Sequence, residues 1–132
     1  MPFEVTILGS SSATPTTDRH PSAQYLNLRD HCMLVDCGEG TQIQMLRYKL
    51  KYSKLNHIFI SHLHADHYLG LSALLYTMNF HHRENDLFIA GPPGLKEIMD
   101  VQFKHSQTQL RFKIHFYETS STNPEIVWEN EE

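Results

Sequence analysis

Apolar and polar positions along this chain switch repeatedly between a period of two and a period of about 3.6 residues, so strands and helices alternate. Phe3 to Leu8 reads as a first strand, closed by Gly9 and the small polar run Ser10-Ser11-Ser12-Ala13-Thr14. Tyr25 and Asn27 alternate with Leu26 and Leu28, Arg29-Asp30 makes a tight turn, and Cys32 to Val35 returns beside them as a hairpin. From about Thr41 the spacing of Ile43, Leu46 and Leu50 predicts a helix with those residues on one face. His57 to Ile60 is short, β-branched and aromatic, as a buried strand is, and Leu71, Leu74, Leu75 and Met78 then trace a helix face. Leu87 to Ala90 is another strand, broken by Gly91-Pro92-Pro93-Gly94; Leu95, Ile98, Met99 and Gln102 or Phe103 outline a further helix. Phe112, Ile114 and Phe116 alternate with Lys113, His115 and Tyr117 in a half-exposed strand, which leaves His115 pointing outward. This order predicts an α/β chain built on a mixed sheet with helices, in which a site would lie at the strand ends.

A length of 132 residues suffices for one core, so residues 1–132 are expected to form a single domain. With 40% hydrophobic and 20% charged residues the composition is that of an ordinary globular protein. No run of 18 or more apolar residues and no signal-peptide start is present, so a cytoplasmic protein without a membrane partner is expected. Cys32 and Cys37 flank a strand-like run and would lie roughly 16 Å apart at ~3.3 Å per residue, too far for a disulfide, so free thiols in a reducing compartment are expected. Cys37 reads better as a small buried side chain than as a metal ligand.

The predicted strand ending at Ile60 runs straight into Ser61-His62-Leu63-His64-Ala65-Asp66-His67. Four ligand-type side chains within six positions, bounded by a strand and a helix, are a metal motif in a strand-to-helix loop. Imidazole and carboxylate together suit zinc and its neighbours, and such a loop holds ligand atoms on a rigid base while leaving coordination positions open for catalysis. His62 and His64 alternate with Leu63 and point the same way in extended backbone, whereas Asp66 and His67 lie past the bend, where they can face a second metal. Two metals ~3.5–4 Å apart suit hydrolysis of a phosphodiester or another ester.

Around this motif stand residues with two readings each. Asp36 precedes Gly38-Glu39-Gly40, where an Asx turn or helix cap is the ordinary role, but a carboxylate at a neighbouring strand end can also orient a histidine ligand. Arg19 could grip a phosphate bidentately or be a solvated loop residue. A net charge of −4 argues against indiscriminate nucleic-acid binding, yet Arg47, Lys49, Lys51 and Lys54 cluster with Tyr48 and Tyr52 interleaved. Those cations also complement the dipole at the end of the Thr41 helix.

Taken together, Leu8-Gly9-Ser10, Asp36-Cys37-Gly38-Glu39-Gly40-Thr41-Gln42, His62-Leu63-His64-Ala65-Asp66-His67 and Gly91-Pro92-Pro93-Gly94 closely resemble the metallo-β-lactamase superfamily, specifically ribonuclease Z, the tRNA 3′-end processing endonuclease. The resemblance implies a metallo-β-lactamase-like αβ/βα fold, two zinc ions, and removal of the 3′ trailer from precursor tRNA. It assigns His62 and His64 to the first zinc and Asp66 and His67 to the second, with Asp66 also the catalytic residue that holds or deprotonates the attacking water. Asp36 matches the family's strand-end aspartate. Arg19, Arg47, Lys49 and Lys51 are the expected substrate-binding residues, although the loop Pro15-Thr16-Thr17-Asp18-Arg19-His20 lacks the lysine and asparagine that family members often carry there.

Family members are roughly twice this length, so the chain resembles an amino-terminal half that stops before the later metal ligands. Partial zinc occupancy, little activity alone, and a homodimer covering the open sheet are the expectations that follow. A thioester or lactam hydrolase, and a non-catalytic metal-binding or interaction half-domain, are the competing readings.

Overall fold

The computed structural model describes residues 2–120 and 122–130, and among them six strands form one sheet in sequence order. These are β1 (Phe3–Gly9), β2 (Ala23–Leu28), β3 (His31–Val35), β4 (Leu55–Phe59), β5 (Leu87–Gly91) and β6 (Ile114–Glu118). The first three pair antiparallel and the last four pair parallel, which is the mixed sheet expected from the pattern. Arg29 and Asp30 both take positive φ, at 50° and 69°, as a two-residue hairpin turn with the twist of its strands requires. Asn27 Oδ1 accepts the Asp30 amide and closes that turn.

Helices α1 (Thr41–Arg47), α2 (Gly70–Phe80) and α3 (Leu95–His105) follow β3, the strand-to-helix loop after β4, and β5. Leu71, Leu74, Leu75 and Met78 of α2 are fully buried against Tyr25, Leu34, Ile58 and Ile89 of the sheet. Each such side chain removed from water contributes about 2 kcal/mol, so α2 is held by its sheet-facing stripe more than by its own propensity. Glu97 in the first turn and Lys104 and His105 in the last turn of α3 suit its dipole.

Two expectations change in detail. The predicted face of α1 is rotated: Met45 and Thr41 are buried, while Ile43 and Leu46 stand 49% and 63% exposed. In this orientation the Gln44 side-chain amide donates to the Leu8 carbonyl at 2.9 Å while Met45 faces the sheet. The last strand begins at Ile114 rather than Phe112, which is instead a buried plug just ahead of it.

All helices cover one face of the sheet. The other face carries Phe3, Val5 and Ile7 of β1, Leu28 of β2, Phe59 of β4 and Phe88 of β5, with the β1 residues at least half exposed. Leu8, Ile58 and Ile60 point the opposite way, into the core. Across β4, β5 and β6 the register places His57, Phe88 and His115 in one row of stacked rings, and Trp128 covers His57 with ring centroids 4.2 Å apart. Burial, with nearby His31 adding to it, holds the His57 imidazole below its ordinary pKa. His115 Nε2 also lies 2.8 Å from an Asp86 carboxylate oxygen, so its outward position is a hydrogen-bonded one.

Candidate metal centre

Because β1, β3, β4 and β5 run in one direction, their carboxyl ends share one edge of the sheet. Asp36 leaves β3 at that edge, and Ser61 to His67 leaves β4 beside it. Two backbone bonds tie the segments together: the Cys37 amide donates to the His67 carbonyl, and the Gly70 amide donates to the Cys37 carbonyl, each at 2.9 Å. Gly38 and Gly70 allow this approach. A Cβ on Gly70 would stand 2.0 Å from the Gly38 carbonyl oxygen, and one on Gly38 would stand 2.6 Å from that of Asp66.

Asp36 is buried and has φ of 59°, a left-handed conformation that aspartate adopts more readily than most residues. Its amide donates to the Phe59 carbonyl, and its carboxylate gathers the loop around itself. Oδ1 accepts the Ser61 amide at 2.8 Å, and Oδ2 accepts the Ser61 hydroxyl at 3.0 Å. Nδ1 of His67 lies 2.7 Å from Oδ2, which puts the ring proton on Nδ1 and leaves Nε2 as the free lone pair.

Asp66 and His67 sit on a short 3-10 turn, Ala65–His67, that starts the approach to α2. His67 Nε2 lies 3.3 Å from Asp66 Oδ2, so the two ligand-type atoms face one position. The other Asp66 interaction is with the Ala13 amide, 3.1 Å from the same oxygen. That amide, opposed by burial, holds the Asp66 carboxyl below the usual aspartate value. His62 packs against both His64 and His67, with ring centroids 4.7 Å and 4.0 Å away. A cleft of about 530 Å³ opens in front of Asp66 and His67, lined by Ser10, Ser11, Ser12 and Ser22.

The structure thus brings Asp36, His62, His64, Asp66 and His67 to one edge. Among the described residues no three histidine, cysteine or acidic side chains converge as a ready-made cage. The His62 ring instead lies between those of His64 and His67, and Asp66 stands beside His67, a row of the imidazole and carboxylate chemistry that suits zinc. Cys37 takes no part: fully buried, its thiol is pushed up to about 12 by desolvation.

The expected substrate residues are not all gathered there. Lys49 and Lys51 lie before β4, at the opposite edge from the loop that follows it, about 16 Å of strand away. Arg47 donates to Gln44 Oε1 at 3.0 Å, and the same nitrogen lies 3.4 Å from His20 Nε2 on the loop after β1. Arg19 lies on the loop after β1 at the same edge as the histidines, where its backbone amide is bound by Thr16 Oγ1.

The residues that sequence reasoning passed over are Ser61, Ser22 and Ala13, which touch Asp36 or Asp66. Ser61 had a visible signal in its place directly before His62. Ala13 had none, since its amide reaches Asp66 only through folding of a loop 53 positions away.

Solved structures share this fold. Human tRNase Z, short form, is 39% identical with a TM-score of 0.82 over 86% of this chain and 44% of that one. The metallo-beta-lactamase fold protein YhfI from Bacillus subtilis superposes at TM-score 0.67 over 89% of this chain and 48% of its own. The chain therefore has the metallo-β-lactamase fold, of which it spans part. Among curated relatives, Ribonuclease Z of Bacteroides thetaiotaomicron is 42% identical over 97% of this chain and 40% of its own length. Ribonuclease Z of Methanosarcina acetivorans is 43% identical over 86% of this chain and 37% of its own. The chain spans about two fifths of the length of these relatives. It belongs to the family described as Anti-Pycsar protein Apyc1, whose model matches residues 3–122.

Proposed function

We propose that this chain carries the metal-binding part of a zinc-dependent endoribonuclease that removes the 3′ trailer from precursor tRNA. The observation that carries this reading is the Asp66–His67 pair: both side chains face one position, and Asp36 fixes the His67 ring so that Nε2 is the atom presented. Similarity to proteins named Ribonuclease Z and to human tRNase Z supports the substrate class.

In this reading His62 and His64 hold one zinc and Asp66 and His67 the other, and bound zinc supplies polarisation of a phosphoryl oxygen and acidification of water. Asp66 orients or deprotonates the attacking water, and the Ala13 amide steadies Oδ2, the same oxygen that faces His67. Asp36 acts behind the ligands by orienting His67, and the serine-lined cleft receives the scissile phosphate. Arg19 contacts the substrate near the site, with Arg47 beside His20 of the same loop, whereas Lys49 and Lys51 contact a distant part of a long RNA. Each zinc then has two protein ligands where three or four are usual, so occupancy by this chain alone is partial and activity alone is low. No helix among the described residues is long and apolar enough to cross a membrane, and two free buried thiols suit the cytoplasm.

The test combines this chain with the carboxy-terminal remainder of the Bacteroides thetaiotaomicron relative and follows cleavage of a 3′-extended tRNA, with a thioester as the comparison substrate. Asp66→Ala is expected to lower tRNA cleavage by at least ~100-fold while changing tRNA affinity less than threefold. Lys49→Ala with Lys51→Ala is expected to do the reverse and to reduce the salt slope of binding by about two units, at ~0.9 per phosphate contact. Thioester hydrolysis without tRNA cleavage would instead assign the chain to the other hydrolase class.

The open sheet face gives a second expected result. Apolar surface is worth ~25 cal/mol per Å², and monomers rarely leave a large contiguous patch uncovered. The isolated chain is therefore expected to pair through Val5, Ile7, Leu28 and Phe88 as a symmetric homodimer. A monodisperse monomer by light scattering at micromolar concentration, with no uptake of a hydrophobic dye, would show that this face needs no partner.

A further inference from the structure

We propose that Ser61 is a positioning residue that ties His62 to the same buried carboxylate that holds His67. The inference rests on the metal reading above, but it concerns hydrogen bonds present in the chain itself.

Ser61 contacts Asp36 twice, through its amide to Oδ1 at 2.8 Å and through its hydroxyl to Oδ2 at 3.0 Å. The same hydroxyl oxygen lies 3.0 Å from His62 Nδ1 and 3.4 Å from His67 Nδ1. A hydroxyl has one proton to give, and an ionised carboxylate has none. The Ser61 proton therefore goes to Asp36 Oδ2, and Ser61 Oγ is left to accept from His62. That fixes the proton of the neutral His62 ring on Nδ1 and leaves Nε2 as its free lone pair.

Asp36 thereby sets two imidazoles at once. It holds His67 directly at 2.7 Å and His62 through one intervening hydroxyl. Both rings present the same nitrogen, and they lie with centroids 4.0 Å apart, so one buried group coordinates the orientation of both halves of the donor set. Partners of this kind, behind a metal ligand, are worth about 10–100-fold in metal affinity.

Ser61→Ala separates this role from a structural one, because the Ser61 amide bond to Asp36 remains and the loop keeps its backbone anchor. Ring nitrogen chemical shifts in the metal-free chain, at a pH where the imidazoles are neutral, read the tautomer directly. The expected result is that His62 shifts from almost wholly Nδ1–H to a mixture of tautomers while His67 is unchanged. Zinc affinity by chelator competition is expected to fall about tenfold, and Ser61→Thr, which restores a hydroxyl, is expected to recover both. A His62 tautomer unchanged in Ser61→Ala would overturn the proposal, as would a Ser61→Thr variant that fails to recover it with its loop amides still protected. A wild-type chain that binds no zinc yet shows the tautomer shift would leave the hydrogen-bond relay standing and remove the metal reading beneath it.

Discussion

Asp36→Ala is expected to lower the unfolding free energy by about 3 kcal/mol or more and to weaken zinc binding at least tenfold. The carboxylate accepts the Ser61 amide, the Ser61 hydroxyl and His67 Nδ1, and hydrogen bonds to a charged acceptor are worth about 1.5–3 kcal/mol each. Alanine leaves those donors facing a small void and also has to occupy a φ of 59° that suits it poorly. Asp36→Asn divides the two effects. Its carbonyl oxygen can still accept the Ser61 amide, but its amino group then meets Nδ1–H of His67 donor to donor, so the ring must turn. Urea denaturation should show a small loss for Asp36→Asn and a large one for Asp36→Ala, while chelator competition shows weakened zinc binding for both. An Asp36→Asn chain with undiminished zinc affinity would leave Asp36 as a structural anchor only.

Gly70→Ala is expected to cost about 3 kcal/mol, despite adding a single methyl group to the first residue of a helix, where alanine is intrinsically preferred. Its Cβ would come within 2.0 Å of the Gly38 carbonyl oxygen, 2.9 Å of the Gly38 carbonyl carbon and 3.1 Å of the Cys37 carbonyl oxygen, all of them backbone atoms that cannot rotate away. Relief requires the α2 terminus to move off the turn after β3, which breaks the Gly70-to-Cys37 and Cys37-to-His67 bonds. The histidine loop is fastened to Asp36 through that contact, so zinc affinity should fall together with stability. Gly94→Ala is the control: its added Cβ meets only the Leu63 side chain at 3.4 Å, and the expected cost is the ~1 kcal/mol of a left-handed alanine. Equal urea midpoints for the two variants would show that α2 is not seated on the turn as described.

Both predictions turn on the join between two segments, and that join is where the sequence is least informative. The histidine motif was legible, because four ligand-type residues between an apolar strand and an amphipathic helix stand out in one dimension. Asp36 was legible as a choice between a turn residue and a partner for a histidine; its 2.7 Å contact with His67 puts the two together without excluding the turn, since its φ is also left-handed. The glycines carried a partly different meaning from the one composition suggests. Gly40 has the positive φ of 81° expected of such a turn, whereas Gly38 is required by close approach to the Asp66 carbonyl.

Residues close in sequence determined much of this protein by themselves. The strand and helix order, the mixed sheet, the buried stripe of α2 and the clustering of His62, His64, Asp66 and His67 all follow from periodicities and spacings of a few residues. Tertiary structure alone decided which face of α1 is buried, the one from which Gln44 meets the Leu8 carbonyl 36 positions away. It alone joined Ser61 and Asp36 to both imidazoles, brought the Ala13 amide to Asp66, and set Lys49 and Lys51 at the far edge of the sheet. The physical reason is that periodicity reports which way a side chain points relative to its own element, whereas the partner it meets is fixed by how the elements pack.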